Sequence, residues 1–264
     1  MQSAFVTREK ILDALRAALE PLEYVDAMWQ AGAAAFGRVD EWSDIDLLVV
    51  VDDEKVAEVS AVIEETLASL SPIDLKLPMP SPHGHTETFY RLREASPFLL
   101  VDLSVIPRSN PTTSQEREIH GTPVVHFDKR GVTQAKPLLA EAEVARLRAR
   151  LATLRGVTEL INVLTLKELN RGNHMEALAF YHAFTLRSLV ELLRIKHCPA
   201  RSDFHTRYLY YDLPSEVVQR LEGFFFVASG EALREKQAQA EVWVREVIDS
   251  IELKERGDAH PAAG

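Results

Sequence analysis

Apolar positions in the first half of the chain switch between a helical period and a strand period. Residues 7–20 put Ile11, Leu12, Leu15 and Leu19 on one stripe, with Thr7 as cap and Pro21 as stop, which predicts an amphipathic helix. Tyr24 to Gln30 reads as a first strand that ends at a Gly32 turn, and Asp44 to Val51 as a second. Asp52 or Asp53 is placed to cap a helix reaching about Leu70, with Val56, Val59, Ile63, Leu67 and Leu70 on one face. Ser71-Pro72 ends it, and Ile73 to Leu77 alternates as a third strand. Residues 78–88 are expected as a loop at a site edge, and Phe89 to Ala95 as a short helix. Phe98 to Ile106 reads as the next strand, 111–118 as a polar loop, Val124 to Phe127 as an edge strand, and Asp128 to Gly131 as a turn.

The pattern changes after about residue 135. Leu147, Leu151, Leu154, Ile161 and Leu164 recur at helical spacing from Glu141 to Leu169, and Arg171-Gly172-Asn173 breaks the run. A second helix is expected over 174–197, closed by Pro199. An irregular, aromatic and basic connection follows from Arg201 to Leu213. Pro214 opens a third helix to about Val227, and a fourth runs over 231–254 after Ser229-Gly230. Four helices at these loop lengths predict an antiparallel bundle. The fold class is therefore α+β: a mixed sheet with helices over residues 1–135, an antiparallel helical bundle over 136–256, and a disordered tail over 257–264.

Composition narrows the partners. With 264 residues the chain can bury a sizeable core, and 46% hydrophobic with 27% charged residues is ordinary for a globular protein. A formal net charge of −10 argues against nucleic acid as a partner, since that needs a basic face. One cysteine, Cys198, permits no intrachain disulfide and fits a reducing cytoplasm, so a cytoplasmic location is expected. No run is long enough to span a membrane, and no secretory signal is apparent.

The chemistry concentrates between Gly32 and Val51. Leu47 to Val51 is a continuous apolar run rich in β-branched residues, and Asp44 and Asp46 stand where that strand begins. Residues two apart on a strand share a face, so the two carboxylates point the same way, roughly 7 Å apart. Two such carboxylates repel and resist desolvation, and a divalent cation is the simplest compensation. Hard oxygen ligands in a small cluster suit Mg²⁺. Gly32 and Gly37 allow positive φ and close backbone approach, so the amides of their turn can cradle an anion. A phosphate cradle beside a paired-carboxylate metal site points to metal-assisted phosphoryl or nucleotidyl transfer. Asp102 stands alone in an apolar strand, where a charge must be paired or metal-bound; Asp74, also within a strand, is its competitor. His83, His85 and His126 read as solvated or structural rather than ligating.

The run Gly32…Gly37…Ser43-Asp44-Ile45-Asp46-Leu47-Leu48-Val49 resembles the signature of the DNA polymerase β-like nucleotidyltransferase superfamily: a Gly-Ser pair, a short loop, then Asp-x-Asp at a strand. The two-part layout is similar to bacterial two-domain nucleotidyltransferases, including antibiotic adenylyltransferases. The resemblance implies that residues 1–135 form a catalytic domain and 136–256 a helical acceptor domain. It implies that Asp44, Asp46 and Asp102 hold metal, two Mg²⁺ ions, with Asp102 also a candidate base on the acceptor hydroxyl. Gly32, Ala33 and Ser43 would contact the nucleotide, ATP by default, and a small-molecule acceptor, such as an antibiotic, would take the AMP. The family's serine after the first glycine is Ala33 here, which keeps the backbone amide and loses the hydroxyl.

The connection carrying Arg201, Arg207, Tyr208, Tyr210 and Tyr211 suits a nucleobase or other ring, which makes Arg207 a nucleotide-contact candidate. Lys167, Arg171, Arg201 and Arg207 are candidates to neutralise pyrophosphate, and Glu168 and Glu176 to receive a cationic acceptor. Two other readings stand beside transfer to a small molecule. One is an antitoxin-like adenylyltransferase acting on a protein. The other is a degenerate, non-catalytic nucleotide-binding protein, motivated by Ala33.

Overall fold

The structure, a computed structural model, describes residues 5–80, 84–110, 116–134, 138 and 140–251. His83, most of the polar loop at 111–118 and the tail at 257–264 lie outside the described residues. The chain divides into two compact units, Met1–Leu138 and Leu139–Gly264.

The first unit is α+β. Helix α1 (Arg8–Leu19) starts where Thr7 accepts a hydrogen bond from the Lys10 amide. Strand β1 (Val25–Gln30) follows, then one short helical turn, α2 (Gly32–Ala35), and β2 (Ile45–Val51). A 3₁₀ turn over Asp53–Lys55 leads into α3 (Val56–Leu70). Neither Asp52 nor Asp53 caps that helix through its side chain. Asp52 is taken by Arg108, and Asp53 accepts from the Ser109 amide at 3.0 Å.

Strands β3 (Ile73–Met79) and β4 (Thr86–Leu92) form an antiparallel pair, followed by β5 (Leu100–Pro107), a short α4 (Arg117–His120) and β6 (Val124–Asp128). Two sequence expectations fail here. The loop expected over 78–88 gives Pro78, Met79 and Thr86 to Thr88 to strands, and the helix expected at Phe89–Ala95 is strand from Phe89 to Leu92. Thr86-Glu-Thr-Phe-Tyr carries β-branched and aromatic residues, and pairing with β5 from Thr86 to Arg91 outweighs any local helical preference.

The six strands lie in the order β3-β4-β5-β2-β1-β6; β2 and β5 run parallel, the other neighbours antiparallel. The apolar stripes of α1 and α3 cover one face, burying Ile11, Leu15, Val59, Ile63 and Leu67 against Ile45, Leu47, Val49, Val101 and Leu103. Alternation sends Asp46, Leu48, Asp102 and Ser104 to the other face, where all four are only half-buried. Towards β1 that second face closes into a smaller core of Ala27, Trp29, Val50 and Ile106.

The second unit is helical, with more elements than the four expected: α5 (Ala140–Leu160), α6 (Val163–Arg171), α7 (His174–Phe180), a π-helical segment (Tyr181–Leu186), α8 (Arg187–His197), α9 (Leu209–Asp212), α10 (Ser215–Phe225) and α11 (Gly230–Ser250). The single helix expected over 141–169 breaks at Ile161-Asn162, where the Asn162 side chain turns inward and engages Thr185. Gly172 does end its helix in the left-handed conformation, at φ 81°. Among the described residues no helix is long and apolar enough to cross a membrane.

Candidate active site

Strand register brings two of the three carboxylates together. Asp46 on β2 is the direct partner of Asp102 on parallel β5. Neighbouring strands lie about 4.8 Å apart, and paired residues in a parallel ladder point to the same face. Asp102 is half-buried, and its Oδ1 is closed off from solvent with no hydrogen-bond partner among the described residues. Burial, then the negative charges of Glu87, Asp46 and Asp44, push its carboxyl up to about 7. Asp44 lies one residue before β2 begins, and its backbone carbonyl accepts from Arg8 at 2.5 Å.

Gly32 explains the glycine in the motif. It sits at φ 51°, and a Cβ there would fall 1.7 Å from Asp46 Oδ2. The backbone of the turn is thus seated directly on the carboxylate, and only glycine permits both features. The Ala31 amide donates to the Asp46 carbonyl at 3.0 Å, fixing the turn to the head of β2. From the other side the Thr122 amide donates to the Ala35 carbonyl at 2.9 Å, and Gly121 leaves no room for a side chain against it. Ala33 lies within α2, and its carbonyl accepts from the Arg38 amide at 2.9 Å.

Ser43 closes the turn before the strand. Its hydroxyl donates to Asp40 Oδ1 at 2.7 Å and accepts from the Asp40 amide at 3.0 Å. Trp42 in that turn meets Phe98 edge-to-face at 4.8 Å, and both rings are exposed. Phe98 precedes β5 as Trp42 precedes β2, so this aromatic pair stands at the same end of the two parallel strands as Asp46 and Asp102.

Three contributors escaped the sequence reading. Arg8, on the first turn of α1, donates to the carbonyls of Ser43 (2.7 Å) and Asp44 and to Gln30 Oε1 (3.3 Å). Burial draws its guanidinium below its ordinary value, while Asp44 and Asp46 act to raise it. Glu87 was hidden because β4 was read as loop and helix; the alternating Thr-Glu-Thr-Phe-Tyr was the available signal. The Trp42–Phe98 pair joins residues far apart in the chain, and no local pattern marks it.

Other candidates are committed elsewhere. Asp74 is ion-paired with Arg91 at 2.5 Å, which removes it as a rival to Asp102. His126 Nε2 lies 3.1 Å from Gln30 Nε2, and burial lowers its pKa. In the second unit Arg171 pairs with Glu168, whose other oxygen accepts from Asn173 at 2.8 Å. Arg201 pairs with Asp212 at 2.7 Å. Arg207 places its guanidinium 4.9 Å from the centre of the Phe204 ring.

No group of three or more His, Cys, Asp or Glu among the described residues is gathered closely enough to hold a metal ion. The three-carboxylate set expected from the sequence is therefore not assembled as a closed cluster. What stands ready is a pair, Asp46 and Asp102. The orphaned Oδ1 of Asp102 and the all-oxygen donors fit a hard cation that keeps its waters and shares substrate phosphates.

No protein-family model matches the chain, and no curated protein matches its sequence. Among solved structures, the crystal structure of an aminoglycoside 6-adenyltransferase from Bacillus subtilis is similar over 92% of this chain and 89% of that one, at 11% identity and a TM-score of 0.33. A likeness at that level carries no argument about activity.

Proposed function

We propose that the protein is a metal-dependent nucleotidyltransferase that moves a nucleoside monophosphate, AMP from ATP, to a hydroxyl of a small acceptor. The observation that carries this reading is the pairing of Asp46 with Asp102 across β2 and β5, with an orphaned carboxylate oxygen, beside a glycine turn seated on Asp46. Asp102 keeps an oxygen closed off from solvent with no hydrogen-bond partner among the described residues, and a structural role would have it paired with a cation, as Asp74 is.

In this reading Asp46 and Asp102 hold Mg²⁺, and Asp44 joins them when the triphosphate is bound. The bound cation would neutralise phosphate charge and stabilise the entering and leaving oxygens of an in-line displacement. The amides of the Gly32–Ala33 turn and Ser43 position the phosphates. Asp102 is also the candidate base for the proton of the attacking hydroxyl. The Trp42–Phe98 pair offers an apolar wall for a ring.

The deciding assay is pyrophosphate release from ATP with Mg²⁺ across a panel of hydroxylated small molecules. Metal-dependent release that requires an acceptor and disappears in Asp46→Asn supports the reading. Release undiminished in Asp46→Asn, or none with any acceptor, counts against it.

A further inference from the structure

The open face of the sheet carries one continuous row of residues across four strands. Leu77 on β3 pairs with Phe89 on β4, Phe89 with Asp102 on β5, and Asp102 with Asp46 on β2. Residues paired directly across strands share a face. All four side chains therefore stand on the face opposite α1 and α3. At the usual strand spacing Phe89 lies about 5 Å and Leu77 about 10 Å beyond Asp102. On the other flank of Asp46 the row ends at the glycine turn, where the Ala31 amide meets the Asp46 carbonyl. The order along the row is thus glycine turn, two carboxylates, then apolar surface.

The polarity of β3 is inverted for an edge strand. Leu75, Leu77 and Met79 alternate onto the open face and are 56, 58 and 42% exposed. Lys76, between them, turns to the covered face and pairs with Glu64 of α3 at 2.6 Å. An edge strand ordinarily shows its charged positions to water. Here large apolar side chains are left in water instead, next to a half-buried Phe89. Contiguous exposed apolar surface of this kind marks an interaction site. Strand addition by a second copy fits it poorly, because Pro78 takes a donor from the edge and the apolar side chains project from the sheet face. Of the charged groups on β4, Arg91 is spent on Asp74 at 2.5 Å and Glu87 is half-buried.

We infer that this surface is the bed for the acceptor, and that the acceptor is a neutral alcohol whose apolar body reaches about 10 Å from its hydroxyl. The inference rests on nucleotidyl transfer as proposed above. With the triphosphate at the glycine turn, the acceptor hydroxyl stands at Asp102 and the body lies over Phe89, Leu77 and Met79. The hydroxyl oxygen bonds to the α-phosphorus, pyrophosphate leaves, and the proton passes to Asp102 as base.

The test begins on the full chain without nucleotide. Phenylbutanol is titrated under methyl NMR detection, with erythritol, a tetrol on the same length of carbon chain, as the comparison. Saturable shifts at the methyls of Leu75, Leu77 and Met79 are expected with phenylbutanol and not with erythritol, while core methyls such as those of Ile63 stay in place. Leu77→Asn, at an exposed position, should weaken binding roughly fivefold or more. Lys76→Gln, on the opposite face, should leave it unchanged. No shift with phenylbutanol, equal shifts with erythritol, or unchanged affinity in Leu77→Asn would each overturn the inference. Shifts that follow protein concentration rather than alcohol would overturn it too, by showing that a second copy covers the face.

Turnover separates this inference from the reading beneath it. With ATP and Mg²⁺, kcat/KM for pyrophosphate release across ethanol, butanol and hexanol should rise roughly fourfold for each added methylene. Release that is indifferent to chain length, or matched by erythritol, overturns the apolar bed and leaves nucleotidyl transfer standing. Binding at these methyls with no release from any alcohol overturns nucleotidyl transfer, and the acceptor role with it, while the alcohol site itself stands.

Discussion

Gly32 and Asp46 are in such close contact that a single methyl group on Gly32 would overlap the Asp46 carboxylate, 1.7 Å from Oδ2. Two separable costs follow for Gly32→Ala. The first is the left-handed φ of 51°, roughly 1–2 kcal/mol for a residue with a Cβ. The second is displacement of Asp46. In an Asp46→Ala background the carboxylate is gone, so most of the second cost should vanish while the first remains. A double-mutant cycle by urea denaturation should therefore show coupling of about 1 kcal/mol or more between the two positions. Additive effects would mean the turn moves away from the strand freely.

Asp102 makes the stability of the metal-free protein depend on pH. Its carboxyl, ordinarily near 3.8, is pushed up to about 7, so between those values the folded state keeps a proton that the unfolded chain has lost. Stability should then fall as pH rises from about 4 to 7, with the full deficit present above 7. Asp102→Asn, neutral at every pH, should flatten that slope and raise the midpoint at pH 8 with little effect at pH 4. Mg²⁺ should stabilise the unaltered protein mainly above pH 7, where the carboxylate is ionised, and should do so less in Asp102→Asn. Thermal melts across pH with Mg²⁺ and with chelator read all three; a flat profile for the unaltered protein would remove burial and like charge as the dominant influences on Asp102.

Ala33 takes the place of a serine in the resembled signature. Restoring the hydroxyl by Ala33→Ser adds one hydrogen bond to a charged phosphate, worth about 1.5 kcal/mol and so roughly tenfold in affinity. Titration of ATP with Mg²⁺ should show tighter binding in Ala33→Ser, with no change in stability without ligand. Equal affinity would show that the backbone amides of the turn suffice.

Long, unbroken patterns were legible, and long-range pairings were not. The β2 strand, the α1 and α3 stripes and the Asp102 strand follow from local periodicity, and their packing places Asp46 beside Asp102. Phe89 to Leu92 was misread because its neighbours on β5 decide its state. Arg8 and Glu87 reach the site from 38 and 41 residues before and after Asp46, distances at which no sequence pattern operates. Helix 141–169 breaks because Asn162 finds Thr185, a partner 23 residues on.

The same limit hid Arg194. Its place in a helical run gave no sign that its side chain is fully buried and ion-paired at 3.0 Å with the Asp212 side chain, which is closed off from solvent as well. The guanidinium also donates to the carbonyls of His205 (2.7 Å), Arg201 (3.2 Å) and Arg207, and so ties down the connection containing the left-handed residues His205 and Tyr208. Arg194→Met keeps the volume but leaves Asp212 without its buried partner and frees three carbonyls. Breaking a buried pair in this way costs about 3–5 kcal/mol. The loss should be local. Hydrogen exchange should show lost protection in residues 187–213 while β2 and β5 keep theirs. Adding Asp212→Leu should recover part of the stability, because a buried carboxylate left with Arg201 alone is removed, but should not reorder the connection, since the carbonyls remain without their donor. Full protection of 201–213 in Arg194→Met would show that the connection is held by Arg201 and apolar packing instead.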